Sequence, residues 1–352
     1  MIPCCCAPPL DRRAFLLALG AAALAGCAQS AAPRRALEPL QAPADRTSAD
    51  IPWIDFHTHL QRRVTAEELI GQMDRTGVAR MVLMALYYGD AGSAVNDGEG
   101  TDEQAADYAR RFPERFVPFV GMQRGILVNR NRWLSPDDVA RNLLAETDRK
   151  LASGEFFGMG EFMLRFYPYT TQLGVVAVSD MDFPADSSLM RYFADLSARY
   201  RAPMVIHCEA EPEAAEAMER LVERHPAAVV VWAHNCGRSS APRIREMLRR
   251  YANLHADLGL MVSVGEGYGT WWPRRTPWMH LVMTPEGTVL PEMRALFEEF
   301  PDRFFVGTDR AHARAWIYHD FLARRWRLFF SQLSPPTARK LAFENVERLF
   351  RR

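Results

Sequence analysis

An α/β fold, a single closed (β/α)8 barrel, is predicted by three observations. Eight short apolar runs alternate with amphipathic stretches from residue 51 to the C-terminus. Five of those runs finish in histidine or carboxylate side chains at the same point of the repeat. The first run ends in His57-Thr58-His59, where an open doubly wound sheet would want a Gly-rich turn. Strand–helix repetition of this kind pairs strands in parallel through right-handed crossovers, and a closed barrel is the simplest result.

The chain before residue 51 is a different material. Arg12-Arg13 precedes the apolar run Ala14–Leu24, which is too short to span a bilayer as a permanent helix. Paired arginines before such a run resemble a twin-arginine export signal. Leu24-Ala25-Gly26-Cys27 resembles a bacterial lipobox, so residues 1–27 read as a signal peptide with Cys27 as the lipidated first mature residue. The competing reading is a plain signal peptide cleaved at another small residue. Residues 28–50 are poor in apolar side chains and read as a flexible tether. The expected location is therefore outside the cytoplasm, as a periplasmic or membrane-anchored lipoprotein, and the expected domain is 51–352.

Within it the apolar runs are 51–56, 80–85, 116–121, 156–162, 203–207, 228–234, 254–258 and 303–309. The amphipathic stretches between them include 66–76, 103–112, 136–153, 189–200, 213–225, 241–251 and 291–300. Barrel enzymes place chemistry where strands run into loops. The first run supplies His57 and His59, which alternation puts on one face about 7 Å apart. The fourth supplies Glu161, the fifth His207, the sixth His234 and the eighth Asp309. Any one of these histidines alone would read as a buried, satisfied side chain. Together they read as a metal site, because neutral imidazole and carboxylate are good ligands for divalent ions.

Lysine plus arginine equals aspartate plus glutamate at 43 each, so no basic excess favours nucleic acid as a partner. The expected partner is a small-molecule substrate, with the membrane reached only through Cys27 and homo-oligomerisation left open. Cys208 and Cys236 are the two cysteines of the body, and buried thiols are expected in preference to a disulfide.

His57-Thr58-His59, His207, Trp232-Ala233-His234 and Gly307-Thr308-Asp309, with the closing segment Leu341–Phe350, resemble the amidohydrolase superfamily, in particular its amidohydrolase-2 type. The resemblance implies a metallo-dependent hydrolase barrel over roughly 51–352. It implies that His57 and His59 hold one metal with Asp309, which also acts as general base. His207 would be a further ligand, and His234 a ligand or a polariser of the substrate. Glu161 is either a carboxylate bridging two metals or a hydrogen-bond partner behind one.

Ligands without thiolate suit Zn2+ first, with Mn2+ or Fe2+ as alternatives, as one ion or two. Such an ion lowers the pKa of a water it holds to about 7, which serves hydrolysis of an amide, lactone, ester or phosphoester. Two other readings stand beside this one: a decarboxylase of the same superfamily, which uses nearly the same ligands, and a non-catalytic ligand-binding lipoprotein. Substrate contacts are expected from the loops after the strands, with Tyr88, Arg165, Arg238 and Trp271 as candidates.

Overall fold

The computed structural model describes residues 32–40, 50–87, 98–167, 180–262, 280–309 and 319–351. Its sheet follows the path β1 (Trp53–Asp55), β3 (Val78–Tyr87), β4 (Phe116–Arg124), β5 (Met159–Phe166), β7 (Pro203–Cys208), β8 (Val229–Trp232), β9 (Leu254–Asp257) and β10 (Phe304–Phe305). Two short strands lie off that path, β2 (His59–Leu60) on β3 and β6 (Met181–Asp182) on β5. Neighbours on the path pair in parallel. The last strand returns to the first through Phe56 N–H donating to Val306 O at 2.9 Å and Asp309 N–H to His57 O at 2.7 Å. Asp55, fully buried, strengthens that seam by accepting from Thr308 N (2.9 Å) and Thr308 Oγ1 (2.7 Å). The eight predicted strands are thus eight staves of one (β/α)8 barrel.

The helices are α1 (Ala66–Thr76), α2 (Asp102–Arg111), α3 (Arg130–Leu134), α4 (Asp138–Ala152), α5 (Ser188–Tyr200), α6 (Pro212–Arg224), α7 (Ala241–Arg250), α8 (Pro291–Glu299), α9 (His319–Ser331), α10 (Pro335–Arg339) and α11 (Asn345–Phe350). Their starts are legible in the sequence. Thr65, Thr101, Asp137, Ser187 and Ser240 each accept a backbone N–H of the first turn, and Thr65 and Glu68 form a reciprocal capping box. Where no such side chain is present, α6 and α8 begin with proline, whose missing N–H costs nothing there. Each helix turns apolar residues onto the sheet, Leu69 and Met73 from α1 and Met218, Leu221 and Val222 from α6 among them. Every such side chain fully buried contributes about 1.5–3 kcal/mol of transfer free energy.

Gly307 marks the tightest approach of the closing seam. A Cβ there would stand 2.5 Å from His57 Cβ and 2.7 Å from His57 N, so only glycine lets the last strand pass the first.

Three expectations need correction. The paired part of the eighth strand is Phe304–Phe305; beyond it single backbone bonds, Phe56 N–H to Val306 O, Leu260 N–H to Gly307 O and Asp309 N–H to His57 O, replace a regular ladder. The sixth strand stops at Trp232, and His234 lies beyond it in a turn. The sequence predicts a flexible tether over 28–50, yet residues 32–40 are laid along the barrel as a strap. Ala32 N–H donates to Ala152 O at 3.0 Å, Arg35 donates to Ala109 O and Phe116 O at 2.7 and 2.9 Å, and Leu37 and Leu40 pack on the core. Arginine donors meeting carbonyls at helix and strand ends supply what apolar content does not. The signal segment 1–27 lies outside the described residues, and no described helix is long and apolar enough to cross a membrane.

Candidate metal centre

All six predicted ligands converge, and they do so as two groups of donor atoms that share one carboxylate. In the first, His57 Nε2 and His59 Nε2 stand 3.2 Å apart. Asp309 Oδ1 lies 3.5 and 3.4 Å from them, and Glu161 Oε2 also 3.5 and 3.4 Å. In the second, Glu161 Oε1 lies 3.2 Å from both His207 Nδ1 and His234 Nε2, which are 2.7 Å from each other. Donors about 2.0–2.1 Å from a tetrahedral ion stand about 3.3 Å apart, so the first group has the separations a small divalent cation requires. The donor chemistry, imidazole and carboxylate without thiolate, fits such an ion as well.

The remaining nitrogens of three of the four imidazoles are held by acceptors, which leaves the inward nitrogens free to ligate. His57 Nδ1 contacts Asp257 Oδ2, whose other oxygen accepts from Gly259 N at 2.7 Å. His234 Nδ1 donates to Gly259 O at 3.0 Å. His207 Nε2 meets Glu209 Oε1 at 3.1 Å, and Arg238 Nη1 pairs with that same oxygen. His59 Nδ1 is buried and has no hydrogen-bond partner among the described residues. Glu161 Oε2 accepts from Gln123 Nε2 at 2.7 Å.

Local backbone produces these directions. A register irregularity in β5 between Met159 and Phe162 brings Glu161 into the centre from the third position of its strand. After β8, residues 234–237 adopt left-handed angles (His234 φ 55, ψ 50; Asn235 φ 56, ψ 53), and Arg238 follows at φ 66. Left-handed non-glycine residues cost roughly 1–2 kcal/mol each. The return is that one turn points His234 at Glu161 and Arg238 at Glu209. Asp309 is also left-handed, at φ 49, where its N–H reaches His57 O.

Without a cation the cluster is a set of mutually shifted acids and bases. Burial works against a charged His57, but Asp257, then Glu161 and Asp309, outweigh it and hold its pKa well above the ordinary value. His59 and His207 are raised in the same way, against burial, by carboxylate contacts. Burial pushes Glu161 and Asp309 up, yet the imidazoles prevail and leave both lowered.

The predicted substrate contacts fare differently. Tyr88 and Trp271 lie outside the described residues. Arg165 pairs with Glu211 and Asp180 and lies 3.8 Å over the Tyr167 ring. Arg238 is buried against Glu209, so the charge of neither guanidinium is uncommitted. Arg124 is held by Asp102 and Glu146. Cys208 and Cys236 are free buried thiols, as expected. Asp257 and Glu209 were not singled out as working residues from the sequence. The available signal was spacing, since Glu209 follows His207 by two and Asp257 ends a strand like the ligands do.

A family model described as Amidohydrolase matches residues 54–352. The chain belongs to the amidohydrolase family. It is accordingly an enzyme of the amidohydrolase superfamily, and its His/Glu/Asp cluster is a divalent-metal centre. Among solved structures, a Staphylococcus aureus protein described as an amidohydrolase aligns with TM-score 0.52 at 14% identity, over 86% of this chain and 100% of its own. Dihydroorotase from Saccharomyces cerevisiae, in complex with 5-fluoroorotic acid, aligns with TM-score 0.52 at 14% identity, over 86% of this chain and 84% of its own. Likeness at that identity concerns the barrel. No curated protein matches in sequence.

Proposed function

We propose that this amidohydrolase is a hydrolase with a two-ion centre, Zn2+ in the first instance, that cleaves a small-molecule amide, lactone, ester or phosphoester. The observation that carries the reading is the division of Glu161, one oxygen within each donor group. A divalent ion held there by these residues would lower the pKa of a water to about 7 and polarise the bond to be cleaved. Asp309 is the only member of either group with appreciable exposure, 15% for its side chain, so it faces the space a substrate would enter. That position suits a general base that takes the proton of the attacking water and returns it to the leaving group. The neighbouring imidazoles lower its pKa and so keep it ionised. The buried Glu209–Arg238 pair and Asp257 keep His207 and His57 in fixed orientation during this exchange. Two donor groups favour hydrolysis over decarboxylation, for which a single ion suffices. Export with a lipid on Cys27 belongs to the same proposal.

The test is metal content per chain, measured by mass spectrometry for the wild-type chain, Glu161→Gln and Asp309→Asn, together with hydrolysis of a panel of lactones, amides and phosphoesters. About two ions falling to about one in Glu161→Gln, with turnover lost in Asp309→Asn, is the expected result. One ion, indifferent to Glu161, would overturn the two-ion reading.

A further inference from the structure

Glu161 is the side chain that the two donor groups share, so its orientation decides whether both can hold an ion. Its Oε2 lies 3.5 and 3.4 Å from His57 Nε2 and His59 Nε2, and its Oε1 lies 3.2 Å from both His207 Nδ1 and His234 Nε2. Those four nitrogens can steady the carboxylate only while they carry protons. An imidazole nitrogen that ligates an ion turns its lone pair toward it and stops donating. In the loaded centre one protein donor to Glu161 is left among the described residues: Gln123, whose Nε2 stands 2.7 Å from Oε2. Both residues are buried, where a lost donor is not made good by bulk water. The direction of the bond is set by chemistry. An ionised carboxylate only accepts, so the amide must present its NH2 group and turn its oxygen away.

The end of β4 is built to place Gln123. Between Met84 and Leu86 of β3 the register shifts, so that the four-residue step from Phe119 to Gln123 stands against a two-residue step on β3. Gly121 lies inside that bulge, where a Cβ would stand 2.4 Å from Ala85 O. Asp102, fully buried, pins the residues on either side of Met122-Gln123. Its Oδ1 accepts from Gly121 N at 2.8 Å and its Oδ2 from Arg124 Nη2 at 2.9 Å. Arg124 Nε also donates to Gly121 O at 2.8 Å, and Lys150 Nζ to Asp102 Oδ2 at 2.8 Å. Gln123 therefore projects from a clamped wall, as a side chain that must hold a ligand in place requires. We propose that Gln123 is a positioning residue that keeps Glu161 divided between two ions. This role rests on the two-ion reading of the centre. Its loss falls on one group more than the other. Without Glu161 the first group keeps His57, His59 and Asp309, whereas the second keeps only His207 and His234. A carboxylate released by Gln123 can turn both oxygens to the first ion, and the second ion then loses one of three protein ligands.

Zinc is titrated into the metal-free full chain against a chromophoric chelator, in wild type, Gln123→Met and Gln123→Asn. Manganese-loaded samples of the same chains are compared by electron paramagnetic resonance. Methionine matches the length of glutamine without the donor, and asparagine keeps the amide but falls one methylene short. Wild type should bind two ions and give the spectrum of a spin-coupled manganese pair. In both variants the first ion should keep its affinity within about threefold while the second weakens about tenfold, the low end of the usual loss for a group behind a ligand. The coupled spectrum should give way to that of separate ions. Two ions held as in wild type, with the coupling intact, would overturn the role of Gln123 and leave the two-ion reading standing. Equal weakening of both ions overturns that role as well, because a general disturbance of β4 does the same. A wild-type chain that binds one ion overturns the two-ion reading and the role of Gln123 with it. Should Gln123→Met fail to fold, Gln123→Asn decides alone.

Discussion

Replacing Asp257 by asparagine tests how the centre presents its first ligand. Asp257 is fully buried, and its Oδ1 is already taken by Gly259 N at 2.7 Å. Only Oδ2 serves His57 Nδ1. An asparagine must keep its carbonyl oxygen toward Gly259 N–H, which places its NH2 group where Oδ2 was. That amide donates, so His57 Nδ1 must become the acceptor and the ring proton must move to Nε2, the nitrogen facing His59, Glu161 and Asp309. His57 is then the wrong tautomer for ligation. Loss of such a carboxylate behind a ligating histidine typically costs 10–100-fold in metal affinity, or about 1.4–2.7 kcal/mol. Because asparagine is isosteric and keeps the Gly259 bond, the fold should lose less than it would in Asp257→Ala, which strands two buried donors at about 1–3 kcal/mol each. Competition against a chromophoric chelator, with zinc and the full chain, measures the affinity directly. An affinity within twofold of wild type, with melting unchanged, would refute the claim that Asp257 sets the His57 tautomer.

Three further outcomes follow from the same geometry. Metal affinity should rise with pH up to and through the raised pKa values of His57, His59 and His207, and level off above them. The raised pKa values of His57, His59 and His207 mean that these imidazoles carry protons the ion must expel, while the lowered Glu161 and Asp309 are already ionised. Calorimetry in buffers of different ionisation enthalpy should count at least one proton released per ion near pH 7, and zero release would contradict the shifts. Gly259→Ala places a Cβ 2.8 Å from His57 Nδ1 and 3.2 Å from Asp257 Oδ2, so it should lower metal affinity and cost about 1–3 kcal/mol of stability by overpacking, read as a fall in Tm. Arg35→Met removes two charge-assisted hydrogen bonds to carbonyls and should cost about 1.5–3 kcal/mol, seen in chemical denaturation and as easier proteolysis of the strap.

The converging side chains were readable because each is a chemically distinctive residue in a strand or just beyond one, and barrel topology brings such positions together whatever their sequence separation. Their supports were harder to read. Asp257 meets His57 across 200 residues of chain, and its strand pattern Leu254–Asp257 is equally consistent with packing. Glu209 carries no local signal, because nothing in the sequence shows that His207 turns Nδ1 toward Glu161 and Nε2 toward Glu209. The left-handed turn after β8 was not legible either. His234-Asn235-Cys236-Gly237 holds one glycine, and the angles of the other three are imposed by packing rather than by propensity. The strap has no apolar signature in the sequence, because arginine-to-carbonyl bonds hold it. Arg165 and Arg238 drew attention as loose cations, and their partners Glu211, Asp180 and Glu209 appear only in three dimensions.

The strap also fixes which way the molecule would face. Ala32 is bonded to Ala152 at the end where helices return to strands, the pole opposite the metal ligands. Cys27 precedes it by five residues, a reach of about 18 Å at most in extended chain. An acyl group on Cys27 would therefore moor the barrel by its closed pole, with the catalytic mouth turned toward the aqueous space. Substrate would arrive from solution rather than from the bilayer, and a product would leave in the same direction. Lengthening the chain between Cys27 and Ala32 would change the height of the mouth above the lipid but not its heading.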